Sequence, residues 1–331
     1  MREPRFWGRP AGLACSLLSP AAAIYGALTS RRMRGSGRSV GVPVICIGNP
    51  TLGGAGKTPT AIAVARMLQA AGRRPFLLSR GYGGAARGPL QVDVAVHRAT
   101  EVGDEPMLLA RVAPTIVARN RVAGAALARA SGADVIVMDD GFQNPSLHKD
   151  LSILVVDGGR GVGNGLVCPA GPLRAPLVTQ LAFAHALMLV GDGAAGDAVA
   201  TQARARGLPV FHARLAPDAA ALAALRGRKA LAFAGIAIPD KFFATLADAG
   251  IEVRAAVAFP DHHRYRRHEA LDLIARAERE DLVPVTTEKD EVRLFGEPDV
   301  TALARTARAL PVTLEVEERT AFRDLLLTCA G

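Results

Sequence analysis

The segment Gly48-Asn49-Pro50-Thr51-Leu52-Gly53-Gly54-Ala55-Gly56-Lys57-Thr58 combines closely spaced glycines with a Gly-Lys-Thr ending. Glycines let backbone amides turn toward phosphate oxygens, a lysine at that place reaches the β- and γ-phosphates, and the hydroxyl after it can hold Mg²⁺. Thr51, Leu52, Gly53, Gly54, Ala55, Gly56, Lys57 and Thr58 are therefore the expected nucleotide-binding residues, with Thr58 also a metal ligand. The strict pattern opens on glycine, where this chain has Thr51. Such a loop identifies a nucleotide, not a reaction.

Other segments offer reactive groups. Ala133 to Met138 reads as a buried strand ending in adjacent carboxylates, Asp139 and Asp140. Asp-Asp-Gly is good turn chemistry, but beside a phosphate loop the pair can meet Mg²⁺ directly or through water. In Val102-Gly103-Asp104-Glu105-Pro106 the acids suit the start of a helix, with proline tolerated in the first turn. Asp104 can equally accept the proton of an attacking hydroxyl, as the catalytic aspartate of kinases does. Phe259-Pro260-Asp261-His262-His263 sets two histidines after a strand. Zinc would ask for cysteines or a second histidine pair at ligand spacing, which are missing, so a histidine that orients or relays a proton for a carboxylate is favoured. A plain helix start capped by Asp261 stays open.

Three further loops fall at strand ends. Tyr82, in Ser79-Arg80-Gly81-Tyr82-Gly83-Gly84, offers a flat ring to a sugar or base, or simply packs. Gly158 to Gly165 satisfies no dinucleotide-binding register and reads as a flexible loop leading to Pro169-Ala170-Gly171-Pro172-Leu173-Arg174, whose guanidinium can clamp a phosphate. Thr286 to Arg293 is densely charged, with a solvated helix start as its default; facing a cleft, Lys289 would meet an anionic group.

The elements that must position these groups alternate. Val42 to Ile47, Pro75 to Ser79, Pro114 to Ala118, Asp134 to Met138, Leu151 to Val156, Ala186 to Val190 and Pro209 to Leu215 read as short buried strands, with helical stretches such as Asn120 to Ala130 between several of them. This alternation predicts an α/β, doubly wound, mostly parallel sheet, with ligands at the carboxyl ends of its strands. A charged joint at Leu225 to Lys229 precedes fresh strands and helices, which predicts residues 36–225 as the nucleotide-binding domain and 226–331 as a smaller α/β domain.

The chain of 331 residues is half hydrophobic, which argues against disorder and permits about two domains. Its net charge of +9 is mostly arginine, since only Lys57, Lys149, Lys229, Lys241 and Lys289 are lysines among 40 basic residues. Coding bias accounts for that as well as attraction to an anionic membrane or phosphorylated substrate does. With aromatic residues at 5% and no basic-aromatic interleaving, nucleic acid is not an expected partner. Cys15, Cys46, Cys168 and Cys329 have no paired spacing, consistent with a reduced compartment. Residues 1–35 contain an uncharged apolar segment, Ala11 to Ser30, between Arg2, Arg5, Arg9 and Arg31, Arg32, Arg34. Its Ala, Gly and Ser content and Pro20 favour an amphipathic helix lying in a membrane interface, held by Trp7, Leu13, Leu17, Leu18, Ile24, Tyr25 and Leu28, over a spanning one. A helix docked on the protein's own core is the alternative.

Taken together, the segments 48–59, 79–83, 102–106, 139–143, 169–174, 259–263 and 286–290 resemble, in order, the tetraacyldisaccharide 4′-kinases of lipid A biosynthesis, and the resemblance covers the chain from about residue 40 to residue 293. It implies a P-loop kinase that uses ATP and Mg²⁺ to phosphorylate the 4′-hydroxyl of a tetraacylated glucosamine disaccharide 1-phosphate. It also implies a peripheral place at the cytoplasmic face of the inner membrane of Gram-negative bacteria, with the lipid precursor and the membrane surface as partners; no partner surface stands out in the sequence, so no obligate protein partner is expected. By position, Lys57 and Thr58 match the family's nucleotide and magnesium residues, Asp139 and Asp140 its acidic pair, Asp104 its catalytic aspartate and His262 the supporting histidine. Arg174 matches an arginine normally followed by glutamate, where this chain has Ala175. The rival from another class is a nucleotide-driven switch or chaperone-like NTPase, which would share the loop and the Asp-Asp strand without phosphorylating a small acceptor.

Overall fold

In the computed structural model of the chain, residues 4–331 are described. Among the described residues thirteen strands form: β1 (Val44–Gly48), β2 (Pro75–Ser79), β3 (Leu90–Gln91), β4 (Thr115–Val117), β5 (Val135–Asp139), β6 (Leu151–Asp157), β7 (Ala186–Val190), β8 (Val210–Pro217), β9 (Lys229–Ala234), β10 (Glu252–Ala258), β11 (Val283–Thr287), β12 (Arg308–Leu310) and β13 (Val312–Val316). The larger sheet has the order β13-β8-β7-β6-β1-β5-β2-β4-β3 and is parallel except at its edges, where β3 opposes β4 and β13 opposes β8. Parallel strands covered on both faces read as continuous apolar runs, and β1, β2, β5 and β7 are buried along their whole length.

Side chains alternate across the sheet. Ile45 and Ile47 point into one core with Leu68, Val137 and Phe322, while Val44 and Cys46 point into the other with Leu78, Met138 and Leu187. Central β1 lies between β6 and β5, so the chain turns to opposite sides of it. That is the switch point at whose carboxyl edge ligands of open α/β sheets gather, and there the helix Lys57–Ala70 begins. The expectation of a doubly wound, mostly parallel sheet holds.

The smaller sheet, β10-β9-β11-β12, is wholly parallel and carries its own apolar layers, Phe233 with Leu273 and Ala232 with Phe242. Residues 226–331 do not all stay with it. Strand β13 and the helix Arg319–Ala330 return to the larger sheet, where the Phe322 ring meets Phe211 edge-on at 5.0 Å. Val312-Thr313-Leu314-Glu315-Val316 buries only alternate residues, as suits an edge strand with one wet face.

The helix Leu13–Met33 has 21 residues and is long and apolar enough, by length and composition, to cross a membrane. It is not amphipathic in the expected sense. Small residues, Cys15, Ala22 and Gly26, face the protein, and the large apolar Leu13, Leu17, Ile24, Tyr25 and Leu28 face outward. Hydroxyls of Ser19 and Thr29 donate to carbonyls one turn back, so the outer face carries few unmet polar groups. Trp7 is not on that face: it is buried, with Nε1 donating to the Pro169 carbonyl at 3.0 Å. Leu18 is half-buried. Arg5, Arg9, Arg31, Arg32 and Arg34 are exposed around the helix, and Arg2 lies outside the described residues.

Candidate active site

The loop after β1 ends on Gly56, whose φ of 89° is left-handed and would strain any side chain. Lys57 and Thr58 then open the helix, whose free amides form an anion cradle. Lys57 is 8% exposed, its Nζ donating to Asn49 Oδ1 at 3.1 Å with Asp140 3.9 Å away. Asn49 Nδ2 also donates to the Gly53 carbonyl at 3.0 Å, so one side chain shapes the loop and holds the lysine. Asn49 is not among the nucleotide-binding residues expected from the sequence, where its one signal is its place inside the loop. The segment 172–174 backs the loop, with Leu52 N donating to the Pro172 carbonyl and Arg174 N to that of Pro50.

Strand register places Asp139 opposite Ile47, beside the loop. Thr58 Oγ1 donates to Asp139 Oδ2 at 3.3 Å, and the carboxylate's other oxygen is buried with no hydrogen-bond partner among the described residues. Burial, then the nearby Glu105 charge, pushes the Asp139 carboxyl up to about 7. A buried carboxylate oxygen without a donor is costly in that state and suits a cation or the water around one. Asp140 has φ of 52°, a left-handed turn that sends its side chain elsewhere. Arg174 grips it through Nη1 to Oδ1 at 2.6 Å and Nη2 to Oδ2 at 3.3 Å. Burial opposes ionisation of Asp140, yet Lys57 and then Arg174 bring it down to about 2.

Arg174 therefore does not stand free to clamp a phosphate; its Nε also donates to the Thr51 carbonyl at 2.8 Å. The next residue, Ala175, is buried, its carbonyl accepting from Gln180 Nε2 at 2.7 Å. Gln180 in turn binds the Pro50 carbonyl and Gln143, so this corner is closed by amides rather than by a carboxylate.

A second cluster forms around Asp104. Gly103 has φ of 96°, and a Cβ there would lie 2.6 Å from the Tyr82 carbonyl, so the turn into the helix Asp104–Ala110 needs glycine. Asp104 is 4% exposed. Its Oδ1 accepts from Glu105 N at 3.0 Å; its Oδ2 accepts from His262 Nδ1 at 3.0 Å and from both Nε, at 2.9 Å, and Nη2 of Arg293. Burial works against the charge of Asp104, but the His262 bond first, then Arg293 and Lys289, hold its carboxyl well below the usual range. The same bond raises His262 above the ordinary imidazole value against the pull of burial. Tyr82 is exposed, its ring tilted beside that of His262 at 5.1 Å.

Lys289 is spoken for: its Nζ donates to Glu105 Oε1 at 2.8 Å. Burial disfavours the Glu105 charge, while Lys289 and next Lys57 lower its carboxyl. His263 does not join His262; its Nε2 pairs with Glu269 at 2.8 Å and its ring stacks on Phe259. The Gly-rich stretch 158–165 is fastened at Asn164, whose backbone N donates to the Trp7 carbonyl and whose side chain donates to that of Ala170. Arg293, read as part of a solvated helix start, is instead buried. The structure thus unites Lys57, Thr58, Asp139 and Asp140 at one carboxyl edge, and Asp104, His262 and Tyr82 beside it. Such a site can hold a triphosphate and take a proton from an acceptor next to it.

A family model described as tetraacyldisaccharide-1-P 4′-kinase matches residues 14–330. A tetraacyldisaccharide 4′-kinase of Rhodopseudomonas palustris (strain BisB5) is 55% identical over 327 residues, spanning 99% of this chain and 96% of that one. Its counterpart in Methylobacterium sp. (strain 4-46) is 58% identical over 315 residues, spanning 95% of this chain and 93% of that one. Among solved structures, the "apo" form of LpxK from Aquifex aeolicus in complex with ATP aligns with a TM-score of 0.73 at 25% identity, covering 96% of this chain and 100% of that one.

Proposed function

The chain belongs to the tetraacyldisaccharide-1-P 4′-kinase family, and from that premise we propose how its residues divide the work of an ATP-dependent lipid A 4′-kinase. The enzyme transfers the γ-phosphate of ATP to the 4′-hydroxyl of the tetraacyldisaccharide 1-phosphate. A nucleotide switch without a small acceptor is not favoured, since the relatives are kinases over nearly the whole chain.

Positioning and charge neutralisation carry most of the catalysis in phosphoryl transfer. Lys57 exchanges Asn49 for the β- and γ-phosphates, and the amides from Thr51 to Thr58 cradle the chain of phosphates. Thr58 and Asp139 fit Mg²⁺, because the unpartnered Asp139 oxygen beside a hydroxyl is the hard-oxygen set that ion takes. When bound, Mg²⁺ neutralises charge on the phosphate oxygens. Asp140, gripped by Arg174 and near Lys57, adds negative charge at the edge of this pocket.

The acceptor oxygen bonds to the γ-phosphorus as the bond to the ADP oxygen breaks, and the hydroxyl proton passes to Asp104. His262 keeps that carboxylate aligned through Nδ1, and Tyr82 borders the sugar. Lys289 and Arg174 act through Glu105 and Asp140 instead of touching the substrate. The observation that carries this reading is the contact of Asp104 with His262, made at the start of a helix that packs on the one opened by Lys57. Comparing Asp104→Asn with wild type tests it: lost transfer with ATP still bound supports the assignment, and normal transfer overturns it.

The outward Leu13, Leu17, Ile24, Tyr25 and Leu28 support a helix lying in the membrane interface at the cytoplasmic face of the inner membrane. The exposed arginines around it then meet anionic headgroups, and the acyl chains of the acceptor stay in the bilayer.

A further inference from the structure

Arg293 makes two of the four hydrogen bonds on the Asp104 carboxylate, yet it neither reaches the phosphate loop nor takes the acceptor's proton. We propose that Arg293 is the positioning residue of the phosphoryl-transfer base, fixing Asp104 so that Oδ1 is the oxygen that takes the acceptor's proton. The inference rests on Asp104 being that base.

The two side chains come from different sheets: Asp104 opens a helix on the larger one, and Arg293 lies on the helix Glu288–Leu294 that follows β11 of the smaller. Both are nearly sealed from solvent, at 5% and 4% side-chain exposure for Arg293 and Asp104. Guanidinium has a planar fork of donors, and every edge of this one is used. Nε and Nη2 both reach Asp104 Oδ2, while Nη1 donates to the Gly235 carbonyl at 2.6 Å and to Asp290 Oδ1 at 2.8 Å. Asp290 is itself fully buried and held by Tyr265 Oη at 2.9 Å, Gly235 N at 3.0 Å and Thr287 Oγ1 at 2.6 Å. The guanidinium plane therefore has no freedom to turn.

This division decides the chemistry of the two carboxylate oxygens. Oδ2 receives Nε, Nη2 and His262 Nδ1, which leaves it no lone pair for a proton. Among the described residues Oδ1 receives only Glu105 N, at 3.0 Å, and keeps a lone pair. Without Arg293 the carboxylate can rotate about its own axis and exchange the two. The charges that face Asp104 are His262 after β10, Arg293 and Lys289 on the helix after β11, and Glu105 on its own helix. Asp290 stands behind Arg293, so removal of the arginine leaves Asp104 and Asp290 as buried carboxylates with no cation between them.

The test uses the full-length enzyme as R293M, R293Q, R293K, D104N and the R293M/D104N double variant, with ATP-analogue binding certifying the fold of each. R293Q stands in where R293M does not fold. The neutral variants are expected to lose about 10²-fold in kcat with KM for ATP unchanged, and to move the acid limb of the kcat profile up by about 1–3 pH units. R293K keeps the buried charge and returns that limb to its wild-type position. In D104N, adding R293M costs roughly threefold or less, because both act through one carboxylate. Wild-type kcat and acid limb in a folded neutral variant would overturn the inference, as would a full additional loss in the double variant. If D104N itself transfers phosphate normally, the base assignment has failed instead, so the two failures are distinguishable.

Discussion

His262 Nδ1 lies 3.0 Å from Asp104 Oδ2, although the histidine follows β10 of the smaller sheet and the aspartate opens a helix on the larger. The pair exists only while the sheets keep this relation, and other bonds share the task. Arg111 reaches Glu291 at 2.7 Å, Lys289 reaches Glu105, Arg264 donates to the Gly83 carbonyl at 2.9 Å, and Lys241 pairs with Asp157. Most of these involve exposed groups and contribute little individually. The buried contacts around Asp104 set the geometry.

The Asp104 bond makes His262 a source of pH-dependent stability. Its folded value is raised, so its contribution is complete below the unfolded value of about 6.5 and is lost as pH rises through the folded one. The Tm deficit of His262→Ala relative to wild type should therefore be larger near pH 6 than near pH 9. Thermal unfolding followed by circular dichroism measures it. A deficit independent of pH would mean that the pair is not charged in the folded protein.

Phe322→Ala should cost about 3–5 kcal/mol, the usual loss for a buried phenylalanine, because the side chain is fully buried and meets Phe211 in the core of the larger sheet. Urea unfolding gives the value directly. A loss below about 1 kcal/mol would contradict the packing of the last helix on that sheet.

This C-terminal return was not legible in the sequence, and the reason is physical. Ala186-Leu187-Met188-Leu189-Val190 announces itself because both faces are covered. Val312 to Val316 buries alternate residues at an edge, and so short a pattern looks like a loop joined to the preceding β12. The site divides in the same way. Lys57, Thr58 and Asp139 sit at spacings fixed by one strand-loop-helix unit and its neighbouring strand, so local sequence carries them. Arg293 and Arg174 carry the same charge as any surface arginine; only the fold shows that one is closed in against Asp104 and the other against Asp140. Lys289 read as a possible anion contact for the substrate, and its partner proves to be the protein's own Glu105.

Asp139→Asn and Thr58→Ala should each raise the Mg²⁺ concentration needed for half-maximal rate by about tenfold or more. Both alter the hydroxyl and carboxylate that face each other at 3.3 Å. Initial rates at fixed ATP across a Mg²⁺ series give the shift. An unchanged Mg²⁺ dependence in both variants would remove this pair from the metal site.

The outward face of the N-terminal helix should govern membrane attachment. Leu17, Ile24 and Leu28 are 81%, 65% and 63% exposed, so replacing all three by Asp leaves the packed face intact. Each apolar side chain returned to water forfeits about 1.5–3 kcal/mol of burial in lipid. Flotation with anionic liposomes should fall sharply while Tm without lipid stays put. Flotation equal to wild type would place the membrane contact elsewhere.

The role of Asp104 as base is tested most directly by single-turnover transfer of γ-labelled phosphate from ATP to the disaccharide 1-phosphate by Asp104→Asn beside wild type. Label should reach the lipid with wild type, and at a rate about 10²- to 10⁴-fold lower in the variant, with ATP affinity retained. Transfer by Asp104→Asn at the wild-type rate would contradict that role.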